Sequence, residues 1–325
     1  MTEPIRIELP TLYGMQSVNA FLFLEPEPVL IDCGEKTTAT WEALQAALAE
    51  YNLQIKDLKK IIITHAHVDH MGMAGKIAAE SEAEIWVNEY SYDWAISADI
   101  MWERRVNIMK KFLLGDLPPN GQGASMKQML ESFTSVVINA WDNIPASRIK
   151  TFPMEGVINF GGTAWQIIYA PGHAATQTCF FQKEQGWLIA GDALLRITPT
   201  PVFDFKKDHP EIRENSLSVM IKTLENLAKL PIKKVFPGHY QTFPDPQSII
   251  QYQLDRIQMR KEETFGLIKE GKHRFYELFD VLYVNRMNMP GLAMLRGYLD
   301  LLLDENKIVE VMVDGYTAYQ PILDS

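Results

Sequence analysis

The first ninety residues break into short apolar runs separated by turn residues. Ile5–Leu9, Ala20–Leu24 and Pro28–Asp32 are β-rich runs of strand length. The period changes at Glu42–Leu53, where Leu44, Ala47, Leu48 and Tyr51 share one helical stripe. Lys60–Thr64 is a short β-branched strand that runs directly into histidines. Gly72–Glu80 is an Ala-rich helical segment, and Ala83–Val87 is another strand. Strand, helix and strand in this order predict α/β layers around a mixed sheet.

From about Glu89 to Ser147 the spacing becomes helical, with helices expected over Ser91–Leu114 and Gln122–Ala140 and a Pro-rich break between them. The segment is rich in Met and Trp. It reads either as a helical hairpin that completes a core, or as a lid whose apolar face walls a pocket. Trp94, Trp102, Met109 and Phe112 are the candidate wall. Strands return at Trp165–Tyr169, Thr178–Gln182 and Trp187–Ala190. A helix is expected over Pro210–Leu230 and a strand over Lys233–Phe236. Beyond Pro244-Asp245-Pro246 come helices at about Gln247–Lys269, Arg274–Tyr283 and Gly291–Leu303. Two strands, Ile308–Val313 and Thr317–Pro321, turn at Asp314-Gly315. Three helices and a hairpin match a winged-helix arrangement. The expected division is 1–245, with 90–147 as a helical insertion, and 246–325 as a small second domain.

Composition narrows the class. With 47% apolar and 22% charged residues the 325-residue chain is an ordinary globular sequence, not a disordered one. Its net charge of −10 argues against a nucleic-acid partner, whose affinity rests on neutralising phosphates. The start lacks a basic stretch followed by an apolar run, and no run of about 18 apolar residues occurs, so a cytoplasmic protein without membrane attachment is expected. Two cysteines make no disulfide framework.

The chemistry lies in Thr64-His65-Ala66-His67-Val68-Asp69-His70. His65 and His67, two apart after a strand, point to one side of an extended backbone. Asp69 and His70 follow a change of direction and approach a second point nearby. Imidazole and carboxylate together suit a borderline divalent ion such as zinc. Three further segments repeat this chemistry at predicted strand ends: Ala170-Pro171-Gly172-His173, Ala190-Gly191-Asp192 and Pro237-Gly238-His239. Of the seven histidines, His209 and His273 alone stand outside such a context.

These residues resemble the metallo-β-lactamase superfamily, whose signature is His-x-His-x-Asp-His followed by His, Asp and His. The resemblance implies an αββα sandwich. It also implies two divalent ions, most simply zinc, with iron or manganese as alternatives. His65, His67 and His173 would hold the first ion; Asp69, His70 and His239 the second; and Asp192 would bridge them. Asp32, in Leu30-Ile31-Asp32-Cys33-Gly34, matches a position that supports the site from behind. Gln253–Arg260 and the tail after it resemble the branch typified by β-lactamase-like protein 2 and bacterial hydrolases related to glyoxalase II. The stretch between His70 and His173 is longer than in compact members.

The expected reaction is hydrolysis of a small ester, thioester (acyl-CoA or glutathione type) or lactone by a hydroxide shared between the ions, with Asp69 as proton carrier. Two alternatives belong to other classes. One is an RNA-cleaving metallo-endonuclease, suggested by the tail. The other is an oligomerisation or partner module with secondary hydrolase activity. A small-molecule substrate and a homodimer are the partners this reading implies.

Overall fold

The computed structural model describes residues 2–12, 15, 17–115, 117, 121–196, 203–283 and 289–322. The first sheet is built from β1 (Ile5–Pro10), β2 (Ser17–Phe23), β3 (Val29–Ile31), β4 (Lys60–Ile62), β5 (Glu84–Asn88) and β6 (Ile149–Phe152), in that spatial order. Its first two pairings are antiparallel and the next three parallel. The second sheet contains β7 (Gly156–Phe160), β8 (Thr163–Tyr169), β9 (Thr178–Gln182), β10 (Trp187–Gly191), β13 (Lys234–Pro237) and β14 (Phe243–Pro244). It runs β14-β13-β10-β9-β8-β7, and only β10 and β13 are parallel.

Alternation along the strands explains the layering. On β2, Phe21 and Phe23 join the core between the sheets, while Val18, Ala20 and Leu22 face outward into helices. On β9, Phe180 faces the first sheet, while Cys179 and Phe181 face the helices of the second. The helices outside the first sheet include α1 (Thr38–Ala49), α3 (Ala74–Glu80), α4 (Tyr92–Ile96), α5 (Ala98–Met109) and α6 (Gln122–Asn139). A one-turn helix, α2 (Val68–Met71), precedes α3. Outside the second sheet lie α7 (Ser216–Ala228), α8 (Pro246–Lys269) and α10 (Met289–Asp304). The result is an αββα sandwich.

The inner core is aromatic. Phe160 stacks on Trp165 at 4.9 Å, and Phe21 meets Phe236 edge-on across the sheets at 5.6 Å. Such pairs add about 0.5–1.5 kcal/mol each beyond the area they bury.

Two expectations need correction. The helix expected over Pro210–Leu230 begins only at Ser216. Before it, β11 (Phe205–Lys206) and β12 (His209–Arg213) form a hairpin. Proline at 210 pushes His209 into extended backbone, and Glu214 N–H closes the hairpin on Asp204 O at 2.9 Å. Strands β6 and β7 were not expected either. On β6 only the ends, Ile149 and Phe152, are buried, so four residues show no period.

The tail adds α9 (Phe275–Leu282) and a hairpin of β15 (Ile308–Val313) and β16 (Tyr316–Pro321). Asp314 and Gly315 both take positive φ, 53° and 80°, as a two-residue hairpin turn requires. The tail shares its neighbours' cores. Ile250, Ile257, Met294 and Tyr298 join α7 over the second sheet, and Phe275, Leu295 and Tyr319 join the cluster under the insertion. Charged groups fasten it further. Arg213 grips Asp300 with both nitrogens, one at 2.6 Å. Arg296, buried over the Phe275 ring, donates to Phe112 O at 3.1 Å, where the helix after α5 widens into a π turn over Lys110–Leu114. Among the described residues no helix is long and apolar enough to cross a membrane.

Candidate metal centre

Four chain segments end their strands at one edge of the sandwich and bring seven side chains together. His65 follows β4; His67 caps α2, and Asp69 and His70 lie on its single turn; His173 follows β8; Asp192 follows β10; His239 follows β13. Three overlapping sets have donor atoms within 4.8 Å of one another: His65, His67 and His173; His65, His70 and Asp192; Asp69, His70 and His239. Asp192 lies between them. Its carboxylate is 3.5 Å from His70 Nε2, 3.5 Å from His173 Nε2 and 3.3 Å from His239 Nε2. Asp69 is 3.3 Å from His239 Nε2.

Glycine permits this crowding. A Cβ on Gly238 would stand 2.2 Å from Asp192 Oδ1 and 2.6 Å from His70 Cε1. At Gly172, with φ of 135°, it would stand 2.6 Å from the Met220 backbone.

The groups behind the donors fix their tautomers. Asp32, in left-handed backbone at φ 58°, accepts from Thr64 N–H at 2.8 Å and from Thr64 Oγ1 at 2.8 Å. Its Oδ2 lies 2.7 Å from His70 Nδ1. The Thr64 hydroxyl is spent on Asp32, so it can only accept from His65 Nδ1, 3.1 Å away. His239 Nδ1 donates to Ser17 O at 2.6 Å. In each ring Nε2 is thereby turned to the shared space. Among the described residues the Nε2 atoms of His65 and His70 are buried without a hydrogen-bond partner. Buried polar nitrogens are rarely left so, and a divalent cation is what this donor set fits.

The field divides the cluster in two. Burial holds His65 and His67 well below the usual imidazole range, and His173 down at about 4, so these rings stay neutral with lone pairs available. Burial pulls the same way at His70 and His239, but the carboxylates around them outweigh it. Asp69, Asp192 and Asp32 hold His70 up at about 10, and Asp192 and Asp69 hold His239 up at about 12. A place that favours protons this strongly also favours a metal cation, which must displace them to bind.

Sequence reading missed two residues. Glu35 is buried, with Oε2 accepting from Leu12 N–H at 2.9 Å and Oε1 without a partner among the described residues. Burial, aided by Asp69, lifts its carboxyl to about 7. Its only signal was proximity to Asp32. Arg105 of α5 reaches the cluster, its Nη1 2.6 Å from His67 Nε2. Its signal was a cation on the stripe that Trp102 and Met109 share, three and four residues away. Of the four candidate wall residues, Trp94, Trp102 and Met109 are buried and Phe112 partly so. Trp94 lies between Trp141 and Phe205 at 5.9 and 6.0 Å, and Trp102 packs on Phe133 at 5.8 Å. Trp102 also lines a cavity of about 260 Å³ with Trp141, Asp142 and Asn143, apart from the seven donors. Of the two histidines outside the set, both expected at the surface, His209 is exposed and His273 only half-exposed.

Residues 13–239 match the model of the metallo-β-lactamase superfamily. The chain belongs to that superfamily. Fold comparison agrees: metallo-beta-lactamase family protein TTHA1429 from Thermus thermophilus superposes with a TM-score of 0.79 at 23% identity, covering 98% of each chain. Probable metallo-hydrolase YqjP of Bacillus subtilis (strain 168) is 25% identical over 320 residues, 97% of this chain and 96% of its own. Hydroxyacylglutathione hydrolase GloC of Haemophilus influenzae is 24% identical over 189 residues, 58% of this chain and 71% of its own. As a superfamily member with a converged His/Asp donor set, the protein is a metal-dependent hydrolase.

Proposed function

We propose that this metallo-β-lactamase superfamily member hydrolyses a small ester, thioester or lactone with a pair of divalent ions. His65, His67 and His173 would hold one ion, Asp69, His70 and His239 the other, and Asp192 both. The observation that carries the reading is the overlap of the donor sets, with Asp192 in reach of histidines from each. Nitrogen and carboxylate donors without a thiolate suit zinc, with iron or manganese as alternatives. The similarity to GloC, a hydroxyacylglutathione hydrolase, favours a thioester of glutathione type, with an acyl-CoA thioester as the alternative.

The ions supply a polarised acyl oxygen and water with a pKa lowered towards about 7. The chain supplies order. Asp32 and the Ser17 carbonyl keep the rings of His70 and His239 from turning. Asp69, on the exposed side of the cluster, orients the attacking water through one carboxylate oxygen and carries its proton to the leaving group. Burial of His65, His70 and Asp192 excludes bulk water from behind the reacting carbon.

The test is elemental analysis joined to a substrate panel on metal-defined protein: acyl-CoA and glutathione thioesters, acyl-homoserine lactones, β-lactams and single-stranded RNA. Two ions per chain with chelator-sensitive thioester or ester hydrolysis supports the reading. Chelator-insensitive activity, or cleavage of RNA alone, overturns it.

A further inference from the structure

Arg105 is a cation held against the His/Asp cluster with no anion beside it among the described residues. Its Nη1 is 2.6 Å from His67 Nε2, its Nη2 donates to Phe203 O at 3.0 Å, and its guanidinium lies 5.8 Å from the Trp102 ring centre. All three partners are neutral. Among the described residues no carboxylate pairs with it, whereas Arg6, Arg148, Arg213, Arg260 and Arg274 each pair with one. In a chain of net charge −10, carboxylates are not scarce. Half-buried and steered only by neutral groups, the guanidinium keeps its charge available.

The His67 contact sharpens the point. His67 Nδ1 lies 2.8 Å from His173 Nε2, so Nδ1 is the nitrogen turned to the donor set and Nε2 the outer one. A ring that gives its Nδ1 lone pair to a metal carries its proton on Nε2. Two donors cannot share a hydrogen bond, so the Nη1 edge of Arg105 then needs an acceptor from elsewhere. The planar guanidinium fork matches a carboxylate or phosphate in two-point contact.

We propose that Arg105 determines specificity by binding an oxyanion, carboxylate or phosphate, carried on the substrate, and that the preferred substrates are anionic esters or thioesters. This rests on the ester and thioester reading above. Because Arg105 touches a ring of the donor set, the anion it holds belongs to the molecule being cleaved. Its place on the insertion, not on a strand end, lets substrate choice change without moving the donors.

The experiment compares Arg105→Gln and Arg105→Lys with the parent on two matched pairs. S-glutaryl against S-butyryl N-acetylcysteamine varies a carboxylate on the acyl side. S-butyryl phosphopantetheine against S-butyryl pantetheine varies a phosphate on the leaving side. In the pair that carries the recognised anion, the ratio of kcat/KM, anionic over neutral, falls about 30- to 100-fold in Arg105→Gln and less in Arg105→Lys, which keeps charge without the fork. Calorimetry of glutarate and inorganic phosphate with metal-loaded protein gives a readout free of turnover: the parent binds one of them and Arg105→Gln does not, at unchanged metal content. Unchanged ratios in both pairs, equal losses on anionic and neutral members, or loss of metal from Arg105→Gln overturns the proposal. If the parent cleaves none of the four, the thioester part of the reading fails, and the calorimetry alone decides whether Arg105 is an anion site.

Discussion

At the strand ends and in the helical insertion, side chains of similar burial are held in different ways. His70 is fixed by a bond to Asp32, which is itself fixed by Thr64, and His239 by the Ser17 carbonyl. His239 is set by the end of β13 and His70 by the turn of α2, and each ring is then locked by a polar contact. Trp94 and Trp102 are equally buried, yet their positions are set by other rings, Trp141, Phe205 and Phe133. The first arrangement gives direction to a lone pair and the second gives volume. A metal centre needs direction to within tenths of an ångström, whereas packing that fills volume does not. On the proposed reading the chemistry belongs to the strand ends and the short turn of α2, and the contact with substrate to the insertion.

Three substitutions strain this comparison. The largest effect is expected from Asp192→Asn. It removes a negative charge from among three histidines of both sets, so hydrolysis falls on the order of a thousandfold or more and elemental analysis finds metal reduced at both sites together. Retention of full metal with Asn at 192 breaks the bridging assignment. Trp94→Ala comes next. It removes a fully packed ring and lowers unfolding free energy by about 3–5 kcal/mol in a urea titration, while metal content per folded chain stays at the parent value. If metal is lost at unchanged stability, the insertion is part of the donor frame after all. The smallest is Asp32→Asn, which frees the His70 ring without touching a donor. Competition against a chromogenic chelator should show about 10- to 100-fold weaker affinity with secondary structure intact by circular dichroism. Unaltered affinity would mean that packing alone orients His70.

The seven converging side chains were legible because they crowd into four short segments at strand ends, and Asp32 stands at the end of a fifth strand, so that spacing in sequence maps directly onto spacing in the fold. The α/β layering was legible for a related reason, since the parallel strands, buried on both faces, read as near-continuous apolar runs, whereas the αββα sandwich followed only from the resemblance that the motif residues carry. The β11–β12 hairpin was hidden because two-residue and five-residue strands next to a true helical stripe look like the start of that helix. Arg105 and Glu35 were hidden because nothing local marks them. Arg105 meets His67, 38 positions away, only in the folded chain, and Glu35 becomes unusual only once burial removes its water. The sharing of cores between the tail and the rest of the chain was likewise invisible, since the apolar stripe of α10 would serve an independent core equally well.

The clamp of Arg296 on the Phe112 carbonyl joins residues 184 positions apart, and Arg213 with Asp300 adds a second tie nearby. For recombination between relatives, the segment carrying Arg105 and the end of the chain thus form one heritable unit interrupted by most of the gene. A chimaera that exchanges only the tail loses the grip on the π turn and shifts the helix from which Arg105 projects. One that exchanges residues 90–147 together with 205–213 and 246–325 carries the clamp across whole, and substrate preference should travel with it while the donor frame stays behind.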